Sequence, residues 1–348
     1  MGDAAKVKVK LKVGVICGGA SSEHSVSCLS AASLLKSIDR DHFEVTLIGI
    51  TQKGKWVRLK DDPSLISLKG DQLPVVPTDA PEISLTEIKN EVDIAFPVVH
   101  GTFGEDGTLQ SILDQAGIVY VGSGEIASRA GFDKGVSRKI FSDAGIPSTN
   151  TKILLMADWK IRQSKIEIEI KAEFELPLFV KPSRSGSSQG VAKVKSWDQL
   201  SGAINDAFIH DDKVLIEEMV SGREVECGVL GSKASAVGEI KILGNHEFYD
   251  FEAKYLDDAT KLIVPAEIPD ESANQIRVLA IQAFNLIGAE GLARVDFFLK
   301  DDGSLILNEI NTMPGFTATS MYPRLWQASG ITYQNLITEL LRVAQQKS

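Results

Sequence analysis

The stretch that most constrains this chain runs from Gly291 to Gly315. Ala293, Val295, Phe297 and Leu299 alternate with Arg294, Asp296 and Phe298, the period-two pattern of a strand. Asp301-Asp302-Gly303 is a turn signal, and Leu305 to Asn311 reads as a second strand returning beside the first. Side chains two apart on a strand share a face. Glu309 and Asn311 therefore point one way on the returning strand, and Arg294 and Asp296 share a face of the outgoing one. Such a hairpin can gather two carboxylates, an amide and a guanidinium. The set suits magnesium better than zinc, because Mg2+ takes oxygen from one or two carboxylates and adds waters and nucleotide phosphates. Arg294 is no ligand, but it can neutralise phosphate or an anionic intermediate. A solvated hairpin with acidic edges would carry the same residues. The Asn-Thr-Met-Pro-Gly run that follows favours a ligand loop at a strand end.

The 348 residues suffice for two or three cores. A formal net charge of −10 argues against nucleic acid as the main partner, and an anionic nucleotide would need local cations or metal. Cys17, Cys28 and Cys227 form no disulfide framework or zinc spacing, so a reducing cytoplasm is expected. The apolar run after the basic start is too short for a signal peptide or a membrane span, and no membrane partner is expected.

From the amino terminus, Lys12 to Cys17 reads as a buried parallel strand, Gly18 to Ser22 as a turn and Glu23 to Ser37 as a helix. That is the opening of an open α/β domain, which binds ligands at the carboxyl ends of its strands. Glu23 is either a favourable first-turn carboxylate or an amine-binding group. Phe43 to Ile50 and Val92 to Val99 are further strands, while 53–81 shows no period. Three glycines between His100 and Gly107 permit close approach of backbone to a ligand. His100 is either a structural hydrogen-bonding histidine or an active-site donor. Ile118 to Val121 reads as a short strand, and Ser128 to Ala144 as one helix carrying Lys134. Leu178 to Lys181 leads into a Gly/Ser loop, 182–191, flanked by Lys181 and Arg184. It lacks the G-K-[ST] of a Walker loop, yet its N–H groups and hydroxyls can cradle phosphate. The strand-rich segments after about residue 150 look antiparallel, unlike the first part.

Six blocks then stand in order: GGASSEHSVS, HGTFGEDGTLQ, VKPSRSGSSQGV, LIEEMVSGRE, YDFEAKY and RVDFFL…LNEINTMPG. On these the chain resembles the D-alanine–D-alanine ligases of the ATP-grasp superfamily over nearly its whole length. The resemblance implies an α/β and α+β, three-domain ATP-grasp fold whose N-terminal domain is open, parallel α/β. Its parts would be a substrate domain at 1–133, a subdomain with the serine loop at 134–222, and one with the magnesium hairpin at 223–348.

The resemblance also implies roles. Asp296, Glu309 and Asn311 would hold two Mg2+ ions, with Mn2+ as a substitute. Lys134 and Lys181 would meet the phosphates of ATP, under the loop of Ser187 and Ser188. Glu217 would take the adenine amino group, Glu218 and Val220 the neighbouring edge, and Glu224 the ribose hydroxyls. Lysine is frequent in the family where this chain has Glu218. Glu23 would bind the amino group of the first D-alanine, and His100 and Arg294 would line the acyl-transfer centre. Ser187 and Tyr255 would tie two loops over the substrates. Lys254, Gly315, Ser320 and Met321 would meet the second D-alanine and the developing oxyanion, Met321 standing where leucine is common. Two molecules of D-alanine and a second copy of the chain, as a homodimer, are the implied partners. Tyr255 points to an amine acceptor, since the related D-alanine–D-lactate enzymes lack it. Rival readings are another ATP-grasp carboxylate–amine or depsipeptide ligase, and a nucleotide-binding regulator without turnover.

Overall fold

A computed structural model describes residues 10–242 and 260–347. The chain forms two compact units, 1–125 together with 313–348, and 126–312.

The first unit is built on a four-stranded sheet: β1 (Leu11–Gly18), β2 (Phe43–Ile50), β3 (Trp56–Leu59) and β4 (Ile94–Pro97), in the order β3-β2-β1-β4. β1 pairs parallel with β2 and β4, and β3 adds an antiparallel edge. Ile16, Ile48, Val99, Leu109 and Leu113 fill one core. Parallel strands covered on both faces need continuous apolar runs, which is what VGVIC and IAFPVV supply. β3 lies in the stretch that showed no period. Tyr120 makes only an isolated bridge to Ala95 where a strand was expected at 118–121.

The second unit holds two antiparallel sheets. One contains β5 (Thr151–Leu155), β6 (Leu178–Pro182), β7 (Ala192–Val194) and β8 (Lys213–Glu218), ordered β5-β8-β6-β7. The other contains β9 (Arg223–Leu230), β10 (Lys233–Ile242), β11 (Thr260–Ile263), β12 (Leu292–Leu299) and β13 (Leu305–Asn311), ordered β11-β10-β9-β12-β13. Each packs its own core, around Leu178 and Ile216 in the first and Val225 and Val295 in the second. Every pairing between these named strands is antiparallel.

Two expectations are corrected, and the run of charges and isoleucines at 161–174 finds its place. The helix expected over 128–144 is two, Glu125–Phe132 and Lys134–Asp143. Asp133 separates them with extended ψ, and its side chain accepts the Val136 N–H, a helix N-cap. The alternating charges and isoleucines near 161–174 belong to a helix, Met156–Glu173. Ile166 and Ile170, four apart, are its buried stripe, and Ile161 and Ile168 are exposed. Finally, residues 313–348 belong with the first unit and not with the hairpin. Phe316 stacks against Phe96 of β4 with ring centroids 5.3 Å apart, and the closing helix Tyr333–Gln345 buries Leu336, Ile337, Leu340 and Leu341.

Candidate functional site

The hairpin geometry follows from its register. Arg294 lies directly opposite Asn311, and Asp296 directly opposite Glu309. Cross-strand partners share a face, so the four groups picked out by period two stand together. The register shifts after Asp296, where Phe297 pairs with Leu307 and Asn308 is the extra residue. This bulge keeps Glu309 on the Asp296 face while Leu307 turns into the core.

Arg294 closes a two-point bridge on Asp296, Nε to Oδ1 at 2.8 Å and Nη2 to Oδ2 at 2.7 Å. Its Nε also lies 3.1 Å from Glu226 Oε2. Burial works to lower the Arg294 pKa, and the Asp296 and Glu226 carboxylates more than reverse it. Glu226, buried opposite Asp296 on β9, is a partner the motifs did not point to.

Beside the hairpin lies a cleft of about 560 Å³, wholly within 126–312. Lys134, Lys181, Ser187, Ser188, Glu217 and Glu309 are among its lining, as are Glu218, Val220 and Glu224. Lys134, at the start of its helix, donates to the Ser185 carbonyl at 3.0 Å and sits 3.3 Å from Glu309 Oε2. Ser187 and Ser188 have φ of 48° and 55°, two consecutive left-handed residues that are not glycine. Such backbone is strained and collects at ligand loops. Arg184, which flanks the loop, bonds outward to Asp211 and Asp212. It anchors the loop's base.

Glu217 is held from two sides. Its Oε1 accepts Arg138 Nε at 3.0 Å and the Thr151 hydroxyl at 3.1 Å, and its Oε2 meets Lys181 Nζ at 2.5 Å. Burial alone would raise its pKa, but Arg138 and Lys181 carry it down to about 2. Lys181 is pushed below the usual lysine value by burial, which Glu217 only partly offsets. Arg138 is the second residue that sequence reasoning missed. The signal was available: it lies four residues after Lys134, on the same helical face. Glu218 is exposed, and it accepts the Asn150 N–H.

The first unit assembles a second set. Glu23 stands at the start of helix His24–Ser37 and is 8% exposed. Ser21 donates to the His100 carbonyl at 2.7 Å, joining the two glycine-rich turns. Gly101 has φ +74°, and a Cβ there would come within 2.7 Å of Glu23 Oε2. The positive φ favours glycine, and a side chain there would have to displace that carboxylate. Both ring nitrogens of His100 are engaged, Nδ1 with the Met313 carbonyl at 3.2 Å and Nε2 with the Ser30 hydroxyl at 3.0 Å. A carbonyl only accepts, so Nδ1 carries the proton and Nε2 accepts from Ser30. Burial lowers the His100 pKa and suits this neutral ring. The same ring thus fastens the loop of Gly315, Ser320 and Met321. Ser320 Oγ accepts the Thr317 N–H at 3.2 Å, and Met321 is buried. Segment 53–81 also acquires a place: Val76 packs against Gly18 and Gly49, and its N–H donates to His24 Nε2 at 3.0 Å. Lys254 and Tyr255 lie outside the described residues.

Among the described residues no three His, Cys, Asp or Glu side chains gather to hold a metal. Two opposed carboxylates and an amide still fit a divalent cation that keeps waters and phosphate oxygens in its shell, as Mg2+ does. They do not fit zinc.

Comparison with known proteins gives a consistent picture. The family models described as D-ala D-ala ligase N-terminus and C-terminus match residues 12–123 and 140–342. A D-alanine--D-alanine ligase of Mycolicibacterium gilvum is 46% identical, with 97% of this chain and 98% of that protein covered. One from Mycobacterium leprae is 45% identical, with coverage of 96% and 94%. The crystal structure of VanG D-Ala:D-Ser ligase from Enterococcus faecalis superposes with a TM-score of 0.84 at 33% identity, covering 97% of this chain and all of that one. The D-alanine-D-alanine ligase from Coxiella burnetii gives 0.79 at 30%, covering 97% and 96%. With both family models matched in order and its motif residues gathered at the cleft and the Glu23 turn, this chain belongs to the D-alanine–D-alanine ligase family.

Proposed function

We propose that the chain joins two D-alanine molecules into D-alanyl-D-alanine at the expense of ATP, for peptidoglycan precursor synthesis. The observation that carries this reading is the hairpin register, Asp296 opposite Glu309 and Arg294 opposite Asn311, beside a cleft lined by Lys134 and Lys181. A carboxylate is a poor electrophile, so the γ-phosphoryl of ATP passes to the carboxylate of the first D-alanine. ADP leaves, and the second amine, once deprotonated, attacks the acyl phosphate and expels phosphate.

Each group has work that its chemistry allows. Two magnesium ions, held by Asp296, Glu309 and Asn311 and replaceable by Mn2+, supply charge neutralisation on the transferring phosphoryl group. Lys134 and Lys181 bind its phosphates, and the Ser187–Ser188 turn covers them and excludes water. Glu217 takes the adenine amine, with Glu218 and Val220 along the ring edge, and Glu224 binds the ribose. Glu23 binds the first amino group. Arg294 and the Gly315 N–H stabilise the tetrahedral oxyanion, a role worth roughly 3 kcal/mol in comparable sites. Ser320, Met321, Lys254 and Tyr255 receive the second D-alanine. His100 serves by holding Met313, which the use of both its nitrogens supports.

We further read 134–222 and 223–312 as the two ATP-grasp subdomains, in line with their separate sheets. The enzyme works in the cytoplasm as a homodimer. Its three buried cysteines are free thiols, and no helix among the described residues is long and apolar enough to cross a membrane.

The test is phosphate release from ATP and Mg2+, with the product identified by mass. No acceptor, D-alanine, L-alanine, D-alanine with D-serine, and D-alanine with D-lactate are compared. Turnover with D-alanine alone, yielding the dipeptide, is expected. Release only with D-serine or D-lactate present would replace the second substrate, and release only with D-lactate would overturn the role given to Tyr255.

A further inference from the structure

The Glu217 carboxylate has about four lone-pair positions. Arg138 uses one on Oε1 and Lys181 one on Oε2, while the single Thr151 hydroxyl proton is divided between Oε1 at 3.1 Å and the nearer Thr149 carbonyl at 2.8 Å. An acceptor position remains on Oε2, on a carboxylate that lines the cleft. What decides where that position points is Arg138, buried to 4% exposure. Its Nη1 donates to the Leu307 carbonyl at 2.5 Å and its Nη2 reaches Asn308 Oδ1 at 3.4 Å, both in the bulge beside Glu309. Its Nε is left to Glu217. A planar guanidinium tied down at one edge presents its other edge in a fixed direction, which a lysine ammonium on a flexible stem does not.

We propose that Arg138 is a positioning residue for base selection. By fixing Oε1 of Glu217 from behind the cleft wall, it directs the open position on Oε2 to accept the exocyclic amine of adenine, and it sets that carboxylate relative to the hairpin. The inference rests on the reading of Glu217 as the adenine acceptor. Lys181 cannot play this part alone. It makes a single contact, with Oε2 itself, through an ammonium on a flexible stem that fixes no direction, and it is also expected to serve phosphate.

The probe is purine riboside triphosphate, which is ATP without the amino group. A hydrogen bond to a charged acceptor corresponds to roughly tenfold to a hundredfold in kcat/KM, so the unaltered enzyme should prefer ATP by about that much. In Arg138→Met the preference should fall to within about threefold, through a raised KM for ATP, with KM for D-alanine unchanged. Arg138→Lys keeps the buried charge and serves if the methionine variant does not fold; it should lose at least about threefold of the preference, since an ammonium cannot bridge both partners. Retention of the full preference by a folded Arg138 variant overturns the proposal. Glu217→Gln separates the two layers. Its one oxygen is drawn to the cations and its N–H meets the incoming amine, so the preference should vanish. If Glu217→Gln keeps the preference, the reading of Glu217 fails, and this inference with it. If Glu217→Gln loses the preference and both Arg138 variants keep it, only the role of Arg138 is refuted.

Discussion

At the scale of single residues, the groups expected to meet ATP and metal are paired with one another. Lys181 rests on Glu217, Lys134 lies against Glu309, and Arg294 grips Asp296. A charge taken from water is costly unless paired, and breaking a buried pair by deleting one member typically costs about 3–5 kcal/mol. A cation with a second partner can release the first to a ligand at lower cost. Arg294 has Glu226, and Lys134 has the Ser185 carbonyl. Replacing Asp296 with Asn, or Glu309 with Gln, leaves those second partners in place, and a folded protein is expected. Turnover should fall by more than the roughly 10–100-fold that loss of a metal ligand's outer hydrogen-bond partner brings. Near-normal rates at low Mg2+ would show that these carboxylates are not the metal ligands.

Among the elements, the 313–320 loop shows how separate pieces of chain fix one another. His100, at the end of β4, holds the Met313 carbonyl. The Tyr333 hydroxyl, from the closing helix, donates to the Phe316 carbonyl at 2.5 Å. Ser33 Oγ, from helix His24–Ser37, accepts the Ala318 N–H at 2.9 Å. Burial pushes the Tyr333 pKa up, so it stays a donor throughout the working range. Tyr333→Phe keeps the ring against Phe316 and removes only the hydrogen bond. It should cost about 1–2 kcal/mol of stability, because a buried carbonyl loses its partner. If the loop receives the second D-alanine, KM for that substrate should rise while KM for ATP stays put. A shift in the ATP constant alone would contradict this division of labour.

For the whole molecule, the separation into 1–125 with 313–348 and 126–312 gives a prediction of its own. The cleft proposed to hold the nucleotide lies in one unit and the Glu23 turn in the other. Ligand bound to the folded state stabilises by about 2.7 kcal/mol at a hundredfold excess over Kd. Hydrogen exchange with ADP and Mg2+ should therefore slow first at amides of β6, β8, β12 and β13. Slowing confined to β1, β2 and β4 would put the nucleotide in the wrong unit. Much of this architecture was legible in the chain. Period two paired Arg294 with Asp296 and Glu309 with Asn311, each pair on one face of its strand, and the apolar runs of β1 and β4 announced parallel strands. Such patterns are local, and the backbone geometry of a strand or helix enforces them whatever lies around it. Tertiary structure alone settled the rest, because those features depend on residues far apart in sequence. Asp133 ends one helix and starts another beside Lys213, Ile166 and Ile170 find their partners only in a packed core, and 313–348 returns to the sheet of β4. Arg138 and Glu226 are in the same class. Each is an ordinary charged residue in an ordinary element, and it matters because folding buries it against a carboxylate or a guanidinium on another strand.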